Sequence, residues 1–188
     1  MYLDDLPYTI PDSSFLNNQF NYAAVNDFYV VALDIPGVAF YTQNFSLPEK
    51  RMDTPSNFPT PFTDIHLTGT KLSYDPLRFT FMINENFENY KSVSDWLDGI
   101  AFPENNQQFI NQINKKKSIH PGSKNFESML SSDIHVIALN SEKKPVRIIE
   151  FKSAFPISLS SLDWNSTDTT VNYMKANLTL SYTYYKLL

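Results

Sequence analysis

The run Asp64-Ile-His-Leu-Thr-Gly-Thr-Lys-Leu-Ser-Tyr-Asp-Pro-Leu-Arg-Phe-Thr-Phe-Met-Ile-Asn-Glu-Asn-Phe-Glu-Asn-Tyr-Lys-Ser-Val-Ser-Asp-Trp96 holds strand, turn, strand and helix signals in succession. Residues 63–68 are strand formers, a turn centres on Gly69, and Asp75-Pro76 opens a strand over 78–84. Alternation along that strand sets Phe79, Phe81 and Ile83 on one face, with Tyr74 and Leu77 flanking the turn. The period then changes from two to between three and four. Asn84 is placed to cap a helix, and Glu85 and Glu88 sit where a helix start favours negative charge. Phe87, Tyr90, Val93, Ser94 and Leu97 recur at helical spacing. Gly99 is expected to end this helix, whose apolar stripe is a packing face, with Trp96 anchoring it on a sheet.

Outward from this run the chain reads as β. Residues 172–184 alternate without a break: Met174, Ala176, Leu178, Leu180, Tyr182 and Tyr184 fall on one face, Tyr173, Lys175, Asn177, Thr179, Ser181 and Thr183 on the other. Such a pattern predicts one long strand with a buried side and a wet side. Ile134, Val136 and Ala138 alternate with His135, Ile137 and Leu139, and a turn at 140–145 leads into 146–154, which predicts a hairpin; 157–162 reads as a separate short strand. Near the other end, 27–35 and 40–47 flank the turn Ile35-Pro36-Gly37 and predict a second hairpin. The proline-rich residues 48–61 cannot hold a regular ladder and read as an extended connection. Residues 101–132 read as a surface excursion with a short helix around 106–114, followed by Lys115, Lys116 and Lys117 in a solvated loop. Evenly spaced strands, one good helix and no βαβ rhythm predict a mainly β fold, an antiparallel sandwich or barrel with one flanking α-helix.

A chain of 188 residues is long enough for one domain with its own core. Residues 27–188 are expected to form it. Residues 1–26 mix Tyr2, Tyr8, Phe15, Phe20 and Tyr22 with polar residues and show neither period, which predicts an arm ordered by neighbouring subunits. The absence of cysteine removes disulfides, thiol nucleophiles and thiolate metal sites together, and suits a reducing compartment. Asp4 and Asp5 stand where a secretory peptide needs positive charge, so a soluble, unprocessed product is expected, with no membrane span. A net charge of −5 argues against tight wrapping of nucleic acid, which draws its affinity from Lys and Arg.

The chemistry of the sequence is sparse. His66, His120 and His135 are not spaced as a ligand set, so no metal or other cofactor is expected. Serines lie near aspartates at 92–95 and 131–133, but no G-x-S-x-G turn or glycine-rich loop accompanies them, and Gly37, Gly69, Gly99 and Gly122 are isolated. No catalytic residue can be named, and an enzyme is not expected.

The 64–96 run, followed later by Phe155-Pro156, Asp163-Trp164-Asn165-Ser166 and the alternating strand ending in Tyr184-Tyr185, resembles the tail tube proteins of contractile-tailed bacteriophages over residues 26–185. The resemblance implies a structural virion protein, made in the host cytoplasm. Its hexameric rings would join their strands into an inner barrel and stack into the conduit for DNA ejection. It also implies sheath and baseplate proteins as partners, and viral DNA passing through the lumen without specific binding. Residues 47–62 match the connection such proteins use between rings, so Pro48, Arg51, Phe58 and Phe62 join Tyr2, Tyr8, Phe15, Phe20 and Tyr22 as expected intersubunit residues. Asn177, Thr179 and Ser181 are the expected lumen-facing residues, in a polar, non-basic wall past which DNA could slide. The longer aromatic arm and the 101–132 excursion depart from the plainest members and leave a tube-initiating baseplate protein as an alternative. From composition alone, an independent β-sandwich binding module is the opposing class, with exposed Tyr and Trp as a stacking platform for carbohydrate.

Overall fold

The computed structural model describes residues 26–32, 34–52, 58–59, 61–65, 68–119, 130–167 and 172–188. The expected arm, including Tyr2, Tyr8, Phe15, Phe20 and Tyr22, lies outside them except for Asn26. In chain order the elements begin with β1 (Phe28–Val31), α1 (Pro36–Tyr41), β2 (Thr42–Ser46), β3 (Lys50–Met52), β4 (Phe58–Pro59), β5 (Asp64–Ile65), β6 (Leu72–Tyr74) and β7 (Leu77–Met82). Then come α2 (Glu88–Ala101), α3 (Asn106–Ile119), β8 (Ser132–Leu139), β9 (Pro145–Leu159), β10 (Lys175–Ser181) and β11 (Tyr184–Leu187).

Seven strands form the main sheet in the order β1-β8-β9-β10-β7-β2, with β11 paired beside β9 off this path. Every described pairing is antiparallel. The spine is β9, at 15 residues. Its first part pairs with β8 and β11, and from Phe155 it pairs with β10, so it passes from one side of a sandwich to the other. The two sides close over a core in which Phe45 of β2 lies 6.0 Å from Phe28 of β1 and 6.2 Å from Phe151 of β9, between ring centres. Alternation decides the rest: Phe79, Phe81, Ile134, Val136, Leu178 and Leu180 are buried, and the residues between them face outward.

Several sequence expectations change. Residues 27–35 and 40–47 do not form a hairpin: β1 pairs with β8 and β2 with β7. Pro36 opens α1 instead of a turn, since proline's fixed φ suits the first helical turn. Residues 146–154 and 157–162 are not separate strands, because β9 runs through Pro156. Beyond Ala154, β8 no longer flanks β9, so a residue without an N–H costs no ladder bond on that side. The bend is made at Ser153, held at φ 54° with its N–H donating to Asp133 Oδ1 at 3.0 Å, and by a register shift at Leu180. The long C-terminal strand is likewise broken between β10 and β11, and the phase slips so that Tyr185 is buried and Tyr184 only half-buried.

Among the described residues the flanking layer holds two helices of 14 residues, the flanking helix expected and a longer form of the short helix expected around 106–114. Helix α2 begins at Glu88, not at Asn84, and Phe87 occupies the cap position in the left-handed region at φ 56° without a side-chain cap. Asn84 still braces this start, accepting the Asn89 N–H at 3.4 Å, while Asn89 Nδ2 donates to the Met82 carbonyl at 2.7 Å. Gly99 does not end α2; it lies inside, where a Cβ would stand 2.7 Å from Gln112 Cβ, so it is needed for the close crossing with α3. Helix α3 includes the lysines assigned to a solvated loop. Lys115 and Lys117 are exposed, but Lys116 is buried, paired with Asp34, donating to the Ser131 carbonyl at 2.9 Å and lying 5.1 Å from the centre of the Trp96 ring. Trp96 is buried as expected, and its Nε1–H donates to the Leu130 carbonyl at 3.0 Å.

Candidate assembly surfaces

The segment between β2 and β7 is a two-stranded arm, and not only the extended connection expected. Lys50 to Met52 pair with Tyr74 to Leu72, and Phe58 and Pro59 pair with Ile65 and Asp64, both antiparallel and one residue apart in register. Its root is fixed to the body. Tyr185 Oη donates to the Pro48 carbonyl at 3.1 Å and Tyr182 Oη to the Asp75 carbonyl at 2.9 Å. Tyr74, Tyr182, Tyr185 and Phe151 pack ring against ring at 5.1–6.2 Å. Lys50 Nζ lies 3.9 Å from the centre of the Tyr185 ring, and Arg51 bridges Glu49 at 3.1 Å and Asp75 at 3.2 Å. Burial among these rings pushes the Tyr182 and Tyr185 hydroxyls above their ordinary range, which keeps both protonated as donors. Of the expected intersubunit residues here, Pro48 is buried within the protomer, Arg51 is exposed, and Phe62 is 97% exposed. The side chain of Phe58 lies outside the described residues.

The outer face of β2, β7 and β10 is mostly polar, while the end of β9 adds the exposed Phe155, opposite Ser181, and Ile157. Cross-strand register aligns Ser46, Arg78, Thr179 and Ser158 in one row and Asn44, Thr80 and Asn177 in the next. Thr80 Oγ1 donates to Asn177 Oδ1 at 2.8 Å, and the Asn177 N–H donates to Ser160 Oγ at 2.9 Å, which tie the rows together. Asn177 is exposed, and Thr179 and Ser181 are half-buried. The wall expected to be non-basic carries two exposed cations, Arg78 and Lys175, and no carboxylate among the residues of these strands on this face. Arg78 was legible from its place between Leu77 and Phe79 in the alternation.

On the opposite side of the sandwich, the outer face of β1, β8, β9 and β11 carries an ionic ladder. Lys152 Nζ lies 2.7 Å from Asp133 Oδ2 and 2.6 Å from Glu150 Oε1, and His135 Nε2 lies 3.3 Å from the same Glu150 oxygen. The two carboxylates hold the Lys152 ammonium above its ordinary range, and Lys152 in turn holds Glu150 below its own. Burial pushes Asp133 up, but Lys152 and the Ser153 N–H outweigh it and leave Asp133 lowered. His66 and His120 lie outside the described residues, among which no group of three metal-ligating side chains occurs.

The end of the sheet away from the arm holds a groove of about 630 Å³, lined by Tyr41, Ile83, Glu85, Phe87, Tyr173 and Met174 among others. Tyr173 is 71% exposed, and Trp164, 70% exposed, stacks on Phe87 at 6.2 Å between ring centres. Sequence reasoning missed this groove because its residues come from three separate segments. Among the described residues no helix is long and apolar enough to cross a membrane.

No curated protein matches the sequence. The fold is similar to that of a chain of the anti-feeding prophage baseplate, from a sixfold-symmetrised cryo-EM structure, with TM-score 0.56 and 13% identity over 89% of this chain and 95% of that one. It is also similar to a chain of the extended sheath-tube complex of PVC, an extracellular contractile injection system, with TM-score 0.51 and 16% identity over 96% of this chain and 99% of that one. The family model described as phage tail tube protein matches residues 9–188, nearly the whole chain, which therefore belongs to the phage tail tube protein family.

Proposed function

We propose that six copies of this structural protein close into a ring, that rings stack into a tube, and that the polar face of β2, β7, β10 and β9 lines the bore through which viral DNA is ejected. The observation that carries this reading is that face. Hydroxyls, amides, Arg78 and Lys175, without a carboxylate, dominate this sheet surface, and among the described residues β2 at its end pairs on one side only. An open strand edge invites pairing with another chain, and closure into a continuous barrel removes the hazard. Asn177, Thr179 and Ser181 then face the lumen. Arg78 and Lys175 would meet the passing polyanion at scattered points, enough for weak, salt-sensitive contact and too few for specific binding. Tyr2, Tyr8, Phe15, Phe20 and Tyr22, in the arm of residues 1–26, and Arg51, Phe58 and Phe62 of the hairpin would contact neighbouring subunits. Pro48 would hold the hairpin root. Sheath and baseplate proteins would be the outer partners, in the tail of a virion. The alternative station, a first ring on the baseplate, uses the same fold and would differ in its partners.

Since the chain has no cysteine, Asn177→Cys supplies a single thiol for testing the bore. In the assembled protein a small maleimide should label this thiol while a bulky polyethylene-glycol maleimide is excluded; in the dissociated protomer both should react. Equal labelling by the bulky reagent in both states would reject a luminal position.

A further inference from the structure

We propose that Ser46, Arg78, Thr179 and Ser158, one cross-strand row on the outer face of β2, β7, β10 and β9, form a contact site for the phosphates of a nucleic-acid backbone. The proposal rests on the reading that this face lines a bore, and it names the ligand group and the side chains that meet it. Register sets the four residues in line: Ser46 pairs with Arg78, Arg78 with Thr179, and Thr179 with Ser158. Directly paired neighbours on one face of a sheet stand about 4.5–5.5 Å apart between Cβ atoms, so one guanidinium rises from a line of three hydroxyls. The guanidinium fork can donate to two phosphate oxygens at once, and hydroxyls are ordinary neutral donors to the same oxygens.

Two further observations single out this row. Ser46, Arg78 and Ser158 are exposed and Thr179 is half-buried, and none of the four side chains has a hydrogen-bond or ion partner among the described residues. The next row uses its polar groups internally, Thr80 donating to Asn177 and the Asn177 N–H to Ser160. Charge is segregated as well. The chain has 20 acidic residues against 15 Lys and Arg, yet Glu49 and Asp75, which follow β2 and precede β7, are bridged by Arg51. Asp133 and Glu150 lie on the opposite side of the sandwich, bound to Lys152. Arg78 therefore keeps its field toward whatever crosses this face. Lys175, the other exposed cation there, pairs with Met82 and supplies charge without a hydroxyl opposite it. Contacts to phosphate carry no sequence information, which suits a wall that every part of a long duplex must pass.

Arginine footprinting tests the site in the full chain, whose arginines are Arg51, Arg78 and Arg147. A short DNA duplex added to the assembled protein should protect Arg78 from phenylglyoxal while Arg51 and Arg147 react as before. This measurement needs no substitution, so it stands even if a variant fails to fold. In direct binding of the same duplex, Arg78→Gln should weaken affinity. It should also make the loss between about 50 and 200 mM salt roughly 3.5-fold smaller for each phosphate contact removed. Thr179→Val combined with Ser158→Ala should weaken binding and leave the salt slope unchanged. An unprotected Arg78 would overturn the row. So would equal losses from Arg78→Gln and Lys175→Gln with none from the hydroxyl variant, which would leave only diffuse charge. Equal protection by polyglutamate would also overturn it, because the site would then take an acidic protein and not phosphate. Failure of the unsubstituted chain to form rings or tubes would instead overturn the bore reading, while protection of Arg78 by the duplex in the dissociated protomer would still support the row.

Discussion

Trp96 joins both helices of the flanking layer to the start of β8. It is buried on α2, donates its indole N–H to Leu130 just before β8, and carries Lys116 of α3 over its ring. Trp96→Ala should therefore cost about 3–5 kcal/mol, the range for truncating a large core aromatic, read as a shift of the denaturant midpoint at constant slope. A midpoint within experimental error of the parent would refute that packing. Lys152 makes a prediction about pH. Asp133 and Glu150 sit below their ordinary values of 3.8 and 4.5 in the folded chain. Stability drawn from them is fully present above those ordinary values and is lost as pH falls through the lowered folded ones. Lys152→Met removes their shared partner. The melting temperature of the parent should then fall more steeply between pH 6 and pH 3 than that of the variant; parallel curves would show that the ladder contributes nothing.

At the scale of elements, Gly99 sets two principles against each other. Alanine improves helix propensity by about 1 kcal/mol over glycine in an exposed helix. Here its methyl would meet Gln112 Cβ at 2.7 Å, and the Cβ end of a side chain cannot swing away. Overpacking should win, so Gly99→Ala is expected to destabilise by about 1–3 kcal/mol in thermal or denaturant unfolding, and a stabilised variant would contradict the α2-α3 crossing. The same element shows what could be read from sequence. Periodicity found α2 and its Trp96, and it found the buried faces of β7, β8 and β10, because one face of each is wet and the other dry. It misread the end of α2 at Gly99 because a glycine serving close approach looks the same as a glycine serving a cap. It missed Lys116 because a buried ammonium depends on Asp34, more than 80 residues away, and on the Ser131 carbonyl. It split β9 at Pro156 because local rules cannot see that the neighbouring strand has already ended. The polar rows of β10 were legible from alternation. The groove was not, since no periodicity links Tyr41, Phe87 and Tyr173.

At the scale of the whole molecule, the features available for the proposed assembly lie at the protomer's edges: a side of β2 with no paired strand among the described residues, and a rooted hairpin on which Phe62 is exposed. The aromatic arm of residues 1–26 is the further contact expected from sequence. Deleting residues 1–21 should leave a protomer with unchanged circular dichroism and melting that pellets poorly as tubes. Long regular tubes from the truncated chain would make the arm dispensable. The central claim concerns how copies arrange themselves, and cryo-electron microscopy of the purified, assembled chain tests it most directly. The account predicts sixfold rings stacked into a hollow tube, with Asn177 and Thr179 on the bore and the Phe62 hairpin reaching the neighbouring ring. A compact monomer at high concentration, or rings with the Asn177 face turned outward, would contradict it.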